Sequence, residues 1–329
     1  MNSPTIAVRE DGISGEIRAC WAQLPNKPLF FGLLAAWLLL FQFLGNSTLG
    51  YIPSPSLFKW MYVSYNSESP TADDGHANLI PFIVVGLFWW KRKELLALKL
   101  QTWWPGLILV GLGLFFHLAG YIVQQQRLCI VGFFIGLYGL TGLAWGWNWL
   151  RASFFPFFLF AFMVPLGSLT EVITFPLRLF VTWIVEHLFN DVLGISVLRQ
   201  GTQLFNGMGT YQFEVAAACS GIRSLISIFL MATIYGFVVF RSPAKRLIMI
   251  ASGLPLAVIG NVVRLALIVA AGEFYGGQDA GNYVHDSSFF SLSPYVPAIF
   301  GLMWLGRRLE DQEVKEQTAG TLTPETKTV

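Results

Sequence analysis

Charge is what this sequence has least of: Asp, Glu, Lys and Arg make up 12% of its 329 residues, against 54% hydrophobic and 16% aromatic. A soluble globule of this size needs far more ionisable surface than that. The basic residues form no run of five or more and the net charge is only +2, which argues against nucleic acid as a partner. Three cysteines in so long a chain exclude a disulfide framework. A phosphate-cradling P-loop, an HExxH helix and a GxSxG elbow are all missing, so NTPase, zincin and serine-hydrolase chemistry lose their signatures.

What is there is apolar sequence in long blocks. Inside lipid every backbone amide must be satisfied within its own segment, so such blocks cross as helices of roughly 17 to 25 residues. The expected fold class is all-α, a polytopic transmembrane helical bundle of about eight spans at 28–46, 77–90, 103–123, 128–148, 152–168, 218–240, 247–271 and 289–306. Basic residues in short loops mark the cytoplasmic side. Lys91, Arg92, Lys93 and Lys99, then Arg241, Lys245 and Arg246, then Arg307 and Arg308 fall on one side if the N-terminus is inside. Residues 1–27 then form a cytoplasmic segment leading into an uncleaved signal anchor, 28–306 the transmembrane catalytic domain, and 307–329 a polar, disordered cytoplasmic tail.

Segment 169–190 would upset that parity if it crossed. Its Glu171, Arg178, Glu186 and His187 instead read as the polar surface of a helix lying in the outer interface. The β-branched runs broken by glycine over 191–215 read as two small strands, completing an extracytoplasmic insert, 169–217, before the sixth span.

With this topology three reactive side chains share one depth at the outer face. Cys219 opens the sixth span, Arg264 lies toward the outer end of the seventh, and His285 stands just before the eighth. An ionisable residue within a span costs several kcal/mol, in order of magnitude, unless it faces a partner or a wet cavity. Asn261, one helical turn before Arg264, is placed to orient its guanidinium or a substrate carbonyl. Arg223, four residues after Cys219, is a second cation on the same side, and Glu214 and Ser220 flank the thiol as supporting groups. A thiolate, not a thiol, is nucleophilic, and nearby cations favour it. Cys219 would attack a carbonyl, Arg264 stabilise the oxyanion, and His285 move protons. Ala216, Ala217, Ala218 and Gly221 leave room for an extended peptide.

Other readings compete. A cysteine in a membrane helix is often a packing residue, and Cys129, at the outer start of its own span, could bridge to Cys219. His76, at the outer mouth of the second span, rivals His285 for the acid/base role. His117 reads as core and His187 as interfacial surface. Asp73, Asp74 and His76 lack the second ligand cluster a metal needs, so neither metal nor cofactor is expected. A polytopic envelope glycan or acyl transferase would hold similar polar residues near one leaflet without using the thiol. A transporter would place paired charges at the midplane.

The blocks AACSGIRSL with Cys219, NVVRL with Arg264, and the histidine before the last span resemble the exosortase/archaeosortase family of membrane transpeptidases. DDGHANLIPFIVVGLFWWKRKEL and MVPLGSLTEVITFPLRL are similar to its early and central segments, so that the likeness covers roughly residues 70 to 306. The resemblance implies Cys219 as nucleophile, Arg264 as transition-state stabiliser and His285 as third catalytic residue, histidine there favouring the bacterial branch. It further implies a multi-pass protein of the bacterial inner membrane with its active site outside. The implied partners are membrane lipids, an acceptor nucleophile, and exported proteins whose C-terminal tail carries a Pro-Glu-Pro-like motif, a membrane helix and a basic end.

Overall fold

A computed structural model describes residues 13–66, 74–165, 169–214, 222–287 and 289–321. They fall into two compact units, unit 1 of residues 1–66 and 77–165 and unit 2 of 67–76 with 166–329.

Unit 1 holds α1 (Ile13–Gln23), α2 (Lys27–Leu44), α3 (Leu57–Tyr65), α4 (Ile80–Ala97), α5 (Gly106–Ile122), α6 (Gln126–Trp145) and α7 (Trp147–Phe158), the last running into a 3-10 turn, Leu159–Met163. Local chemistry sets the boundaries. Pro28 sits in the first turn of α2, where its missing N–H costs nothing, and Ser56 caps α3 by accepting from the Lys59 N–H. The α5–α6 hairpin closes over a glycine seam: a Cβ on Gly113 would lie 2.7 Å from the Gly132 carbonyl oxygen. Such close approach lets two helices gain dispersion where lipid offers no hydrophobic drive.

Unit 2 holds α8 (Leu169–His187), β1 (Val197–Gln200), β2 (Gln203–Asn206), β3 (Gln212–Glu214), α9 (Ile222–Val239), α10 (Pro243–Tyr275), α11 (Gly277–Asp286) and α12 (Tyr295–Thr321). The strands form an antiparallel meander, Val197 facing Asn206 and Leu204 facing Phe213. Where the sequence reads as two strands there are three. The third escapes notice because Gln212–Glu214 is too short for alternation to register. Both outer margins are capped by side-chain amides. Asn190 pairs with the Val197 C=O and N–H at 2.9 and 2.8 Å, and the Gln278 carbonyl oxygen accepts from the Gln212 N–H at 2.7 Å.

One core joins α8, the sheet, α10 and α11 through Val181, Val185, Val197, Leu204, Phe213, Leu265 and Val284. Burying each such side chain stabilises by roughly 1.5–3 kcal/mol. The helix expected at the interface is present as α8, but its polarity is distributed differently. Arg178 is turned inward and buried beside Thr174 and Thr182, while Phe175, Phe180 and Trp183 are exposed. The reason is amphipathic: Thr174, Arg178, Val181, Thr182 and Val185 share one helical face, and that face packs on α10 and the sheet. Glu186 pairs instead with Arg199 of β1 at 2.7 Å.

Among the described residues three helices, α2, α6 and α10, are long and apolar enough by themselves to cross a membrane. The bent pair 278–286 and 290–310, turned by 68°, makes a fourth if counted as one span. Helix α10, at 33 residues, is about 50 Å long and exceeds a hydrocarbon core of about 30 Å. In the fifth expected span α7 has only 12 residues before the 3-10 turn. At the other end α12 continues as helix through Thr321, where the sequence reads as an unstructured tail. Its Leu, Glu, Gln and Lys residues are good helix formers, which outweighs their polarity.

Candidate active site

The site is built on the corner between α10 and α11. Helix α10 ends at Gly276 (φ 143°), Gly277 (φ 66°) turns the chain, and α11 folds back against α10. Left-handed φ is open to glycine without strain, so this pair makes the reversal possible. The hairpin margin fits into the corner. A Cβ on Gly281 would stand 2.0 Å from Phe213, and one on Gly272 2.8 Å from the same ring. Tyr211 and Phe213 stack at 4.8 Å, the Tyr211 hydroxyl donates to Glu273 at 3.0 Å, and the Gln278 N–H donates to the Thr210 carbonyl at 3.1 Å. Burial first, then the hydrogen bond and charge of Glu273, raise the Tyr211 pKa above its ordinary value.

That fold-back brings Arg264 and His285 together. The Arg264 guanidinium donates through Nη2 to the His285 carbonyl at 3.5 Å, the outer limit for such a bond. Its Nε is buried with no hydrogen-bond partner among the described residues, so a donor of the fork is left over for something else. Asn261, one turn earlier on α10, is buried. The His285 ring faces Asp286, with Nδ1 2.7 Å from Oδ1. A carboxylate on Nδ1 fixes the orientation and tautomer of the ring. Asp286 is the residue that sequence reading passes over. Its signal is the bare His-Asp dipeptide, which says nothing until a helix end turns the two side chains together.

The remaining candidates fare unevenly. His76, in the 3-10 turn Gly75–Asn78, belongs to the same unit as Arg264 and His285. Glu214 is exposed at the end of β3, opposite Gln203. Cys219 and Ser220 lie outside the described residues, and of Arg223 only the backbone is described, as the second residue of α9. Cys129 is a free, buried thiol 3.5 Å from the His117 carbonyl, which speaks against a bridge from it to Cys219. His117 is buried against Phe41 in unit 1, and His187 is exposed with Nδ1 2.9 Å from the Trp183 carbonyl. Among the described residues no group of three or more His, Cys, Asp or Glu is placed to hold a metal ion.

The position of α9 is fixed by its pairing with α10. Gly236 lies against Met249, and Gly253 lies against Ala232 and Phe229, so the two helices run antiparallel in close contact. Continued at that register, Ile222 stands level with about Asn261.

Compared with known proteins, residues 67–288 match the model of the transmembrane exosortase family. No curated protein and no solved structure matches the chain.

Proposed function

This chain belongs to the transmembrane exosortase family, and from that premise we propose that it cleaves the C-terminal sorting tails of exported proteins through Cys219. Membership by itself makes it a membrane protein and, in general terms, a cysteine-dependent processing enzyme. The finer reading concerns which residues act and on what.

The observation that carries it is the Arg264 guanidinium held beside His285 with a buried donor to spare. In the proposed cycle the Cys219 thiolate adds to the carbonyl carbon of the scissile peptide bond. The resulting oxyanion is stabilised by the guanidinium of Arg264. As the C–N bond breaks, His285 protonates the leaving amine, and a thioester remains on Cys219. An acceptor amine, hydroxyl or water then attacks the thioester, gives its proton to His285, and frees the Cys219 thiolate. The active site faces the extracytoplasmic side of the bacterial inner membrane, where a motif just outside its own membrane helix presents its peptide bond. Arg223 binds the acidic residue of that motif by charge-assisted hydrogen bonds worth roughly 1.5–3 kcal/mol.

Co-expression with a protein bearing a motif, helix and basic tail tests the reading. Cys219→Ala should abolish processing, Arg264→Ala should slow it by about 10²–10³-fold, and His285→Ala should be similarly defective. Loss with His76→Ala and not with His285→Ala moves the acid/base role to His76. Substantial activity in Cys219→Ser would favour the alternative, an envelope glycan or acyl transferase. Arg223→Lys keeps a point charge and loses the bidentate fork, so it should weaken a Glu-containing motif peptide more than its Gln counterpart. Equal losses on both peptides would remove Arg223 from motif recognition.

A further inference from the structure

Unit 1 contains a cavity of about 410 Å³ that the proposed chemistry does not use. Leu24, Val84, Phe88, Leu137 and Phe157 line it from four helices or their margins, and Arg92 is its one charged lining residue. Apart from Arg92, Cys20 and Thr141 the wall is wholly apolar, and the Thr141 hydroxyl is already spent on the Tyr138 carbonyl at 2.7 Å. Water finds almost nothing to bind there, so an apolar occupant is favoured.

Size and charge choose between occupants. A helix about 10 Å across fills such a volume within roughly one turn, too little to seat a transmembrane segment. A single acyl chain, narrow and flexible, suits it. The Arg92 end carries three cations against two carboxylates: Lys91 reaches Glu94 at 3.7 Å, Arg92 pairs with Glu16 at 2.5 Å and lies over the Trp89 ring at 4.2 Å, and Lys93, next in sequence, is exposed with no ion pair among the described residues. The net positive charge left there by Lys93 repels a segment that ends in basic residues and attracts an anionic headgroup. Helix α1 and the residue after it supply Cys20 and Leu24 to one wall while α1 exposes Ile17 and Trp21, so the cavity lies beneath a short helix with an apolar outer face.

We propose that this cavity is a site for one phospholipid, with an acyl chain between α1, α4, α6 and α7 and an anionic headgroup at the Arg92 end. It does not depend on the thiol chemistry of unit 2. The full-length protein is purified in mild detergent, washed extensively, and analysed by native mass spectrometry and lipid extraction. The wild type should retain a phospholipid, and delipidated protein should rebind phosphatidylglycerol from mixed micelles in preference to phosphatidylcholine. Leu137→Phe and Val84→Phe, which fill the cavity, should each cut retention by roughly tenfold or more, about 1.4 kcal/mol. Circular dichroism shows which of them remain folded. Lys93→Glu, which leaves the apolar wall intact, should erase the headgroup preference. A wild type that keeps no lipid after washing overturns the proposal, as does equal retention by a folded, cavity-filled variant or equal rebinding of the two lipids.

Discussion

At the scale of single residues the least conspicuous member of the site makes the sharpest prediction. Asp286 touches the His285 ring, yet its side chain is 76% exposed. A buried carboxylate in the same role on a serine protease histidine is worth about 10⁴ in kcat. Solvent screening reduces that here. Asp286→Asn should therefore lower kcat by about tenfold with KM nearly unchanged. Wild-type kcat should also decline with added salt while the variant's does not; a salt response common to both would remove Asp286 from the mechanism. Of the residues involved, Cys219, Arg264 and His285 stand out in the sequence because each is costly or reactive in an apolar setting. Asp286 does not, since an acidic residue at a helix end needs no explanation until its neighbour's ring is seen beside it.

At the scale of elements, the corner that carries Arg264 and His285 depends on how β3 is fastened. Tyr211 is 2% exposed and bonded to the Glu273 carboxylate, so Tyr211→Phe should destabilise by about 1.5–3 kcal/mol. The raised pKa sets the pH window. The folded state keeps its phenol protonated where the unfolded chain would ionise, so this contribution is complete below about pH 10 and fades as pH climbs above it. Thermal melts of both proteins should thus differ at neutral pH and converge in strong alkali. Parallel curves throughout would detach Tyr211 from the alkaline response. Helices α9 and α10 are legible in advance because their apolar runs are long and nearly unbroken. Helix α11 is not, because Gly277, Gly281 and several polar residues lower its propensity, and only its packing against α10 and Phe213 makes it a helix. The inward turn of Arg178 is hidden for a similar reason: periodicity finds the face of α8 without saying which neighbour covers it.

At the scale of the whole molecule, the spacing of basic clusters supports a topology that reporters can read. An alkaline phosphatase fused after Gly209 should be active, and one fused after Ser242, beside Arg241, Lys245 and Arg246, should be inactive. The opposite pattern would turn unit 2 over and place the Arg264–His285 corner on the wrong side for exported substrates. The membrane class itself follows from composition alone. Span lengths do not, since apolar sequence continues through breaks such as the one between α7 and its 3-10 turn without announcing where the helix changes pitch.

The two amide caps on the small sheet limit how a client polypeptide can be gripped. Val197 has both its N–H and its C=O engaged by Asn190, and Gln212 has its N–H engaged by Gln278, so an incoming strand meets margins already partly taken. Main-chain pairing onto the meander, which would accept almost any sequence, is hindered at those two positions. Under the proposed function, selectivity is thereby shifted toward particular side chains of the substrate.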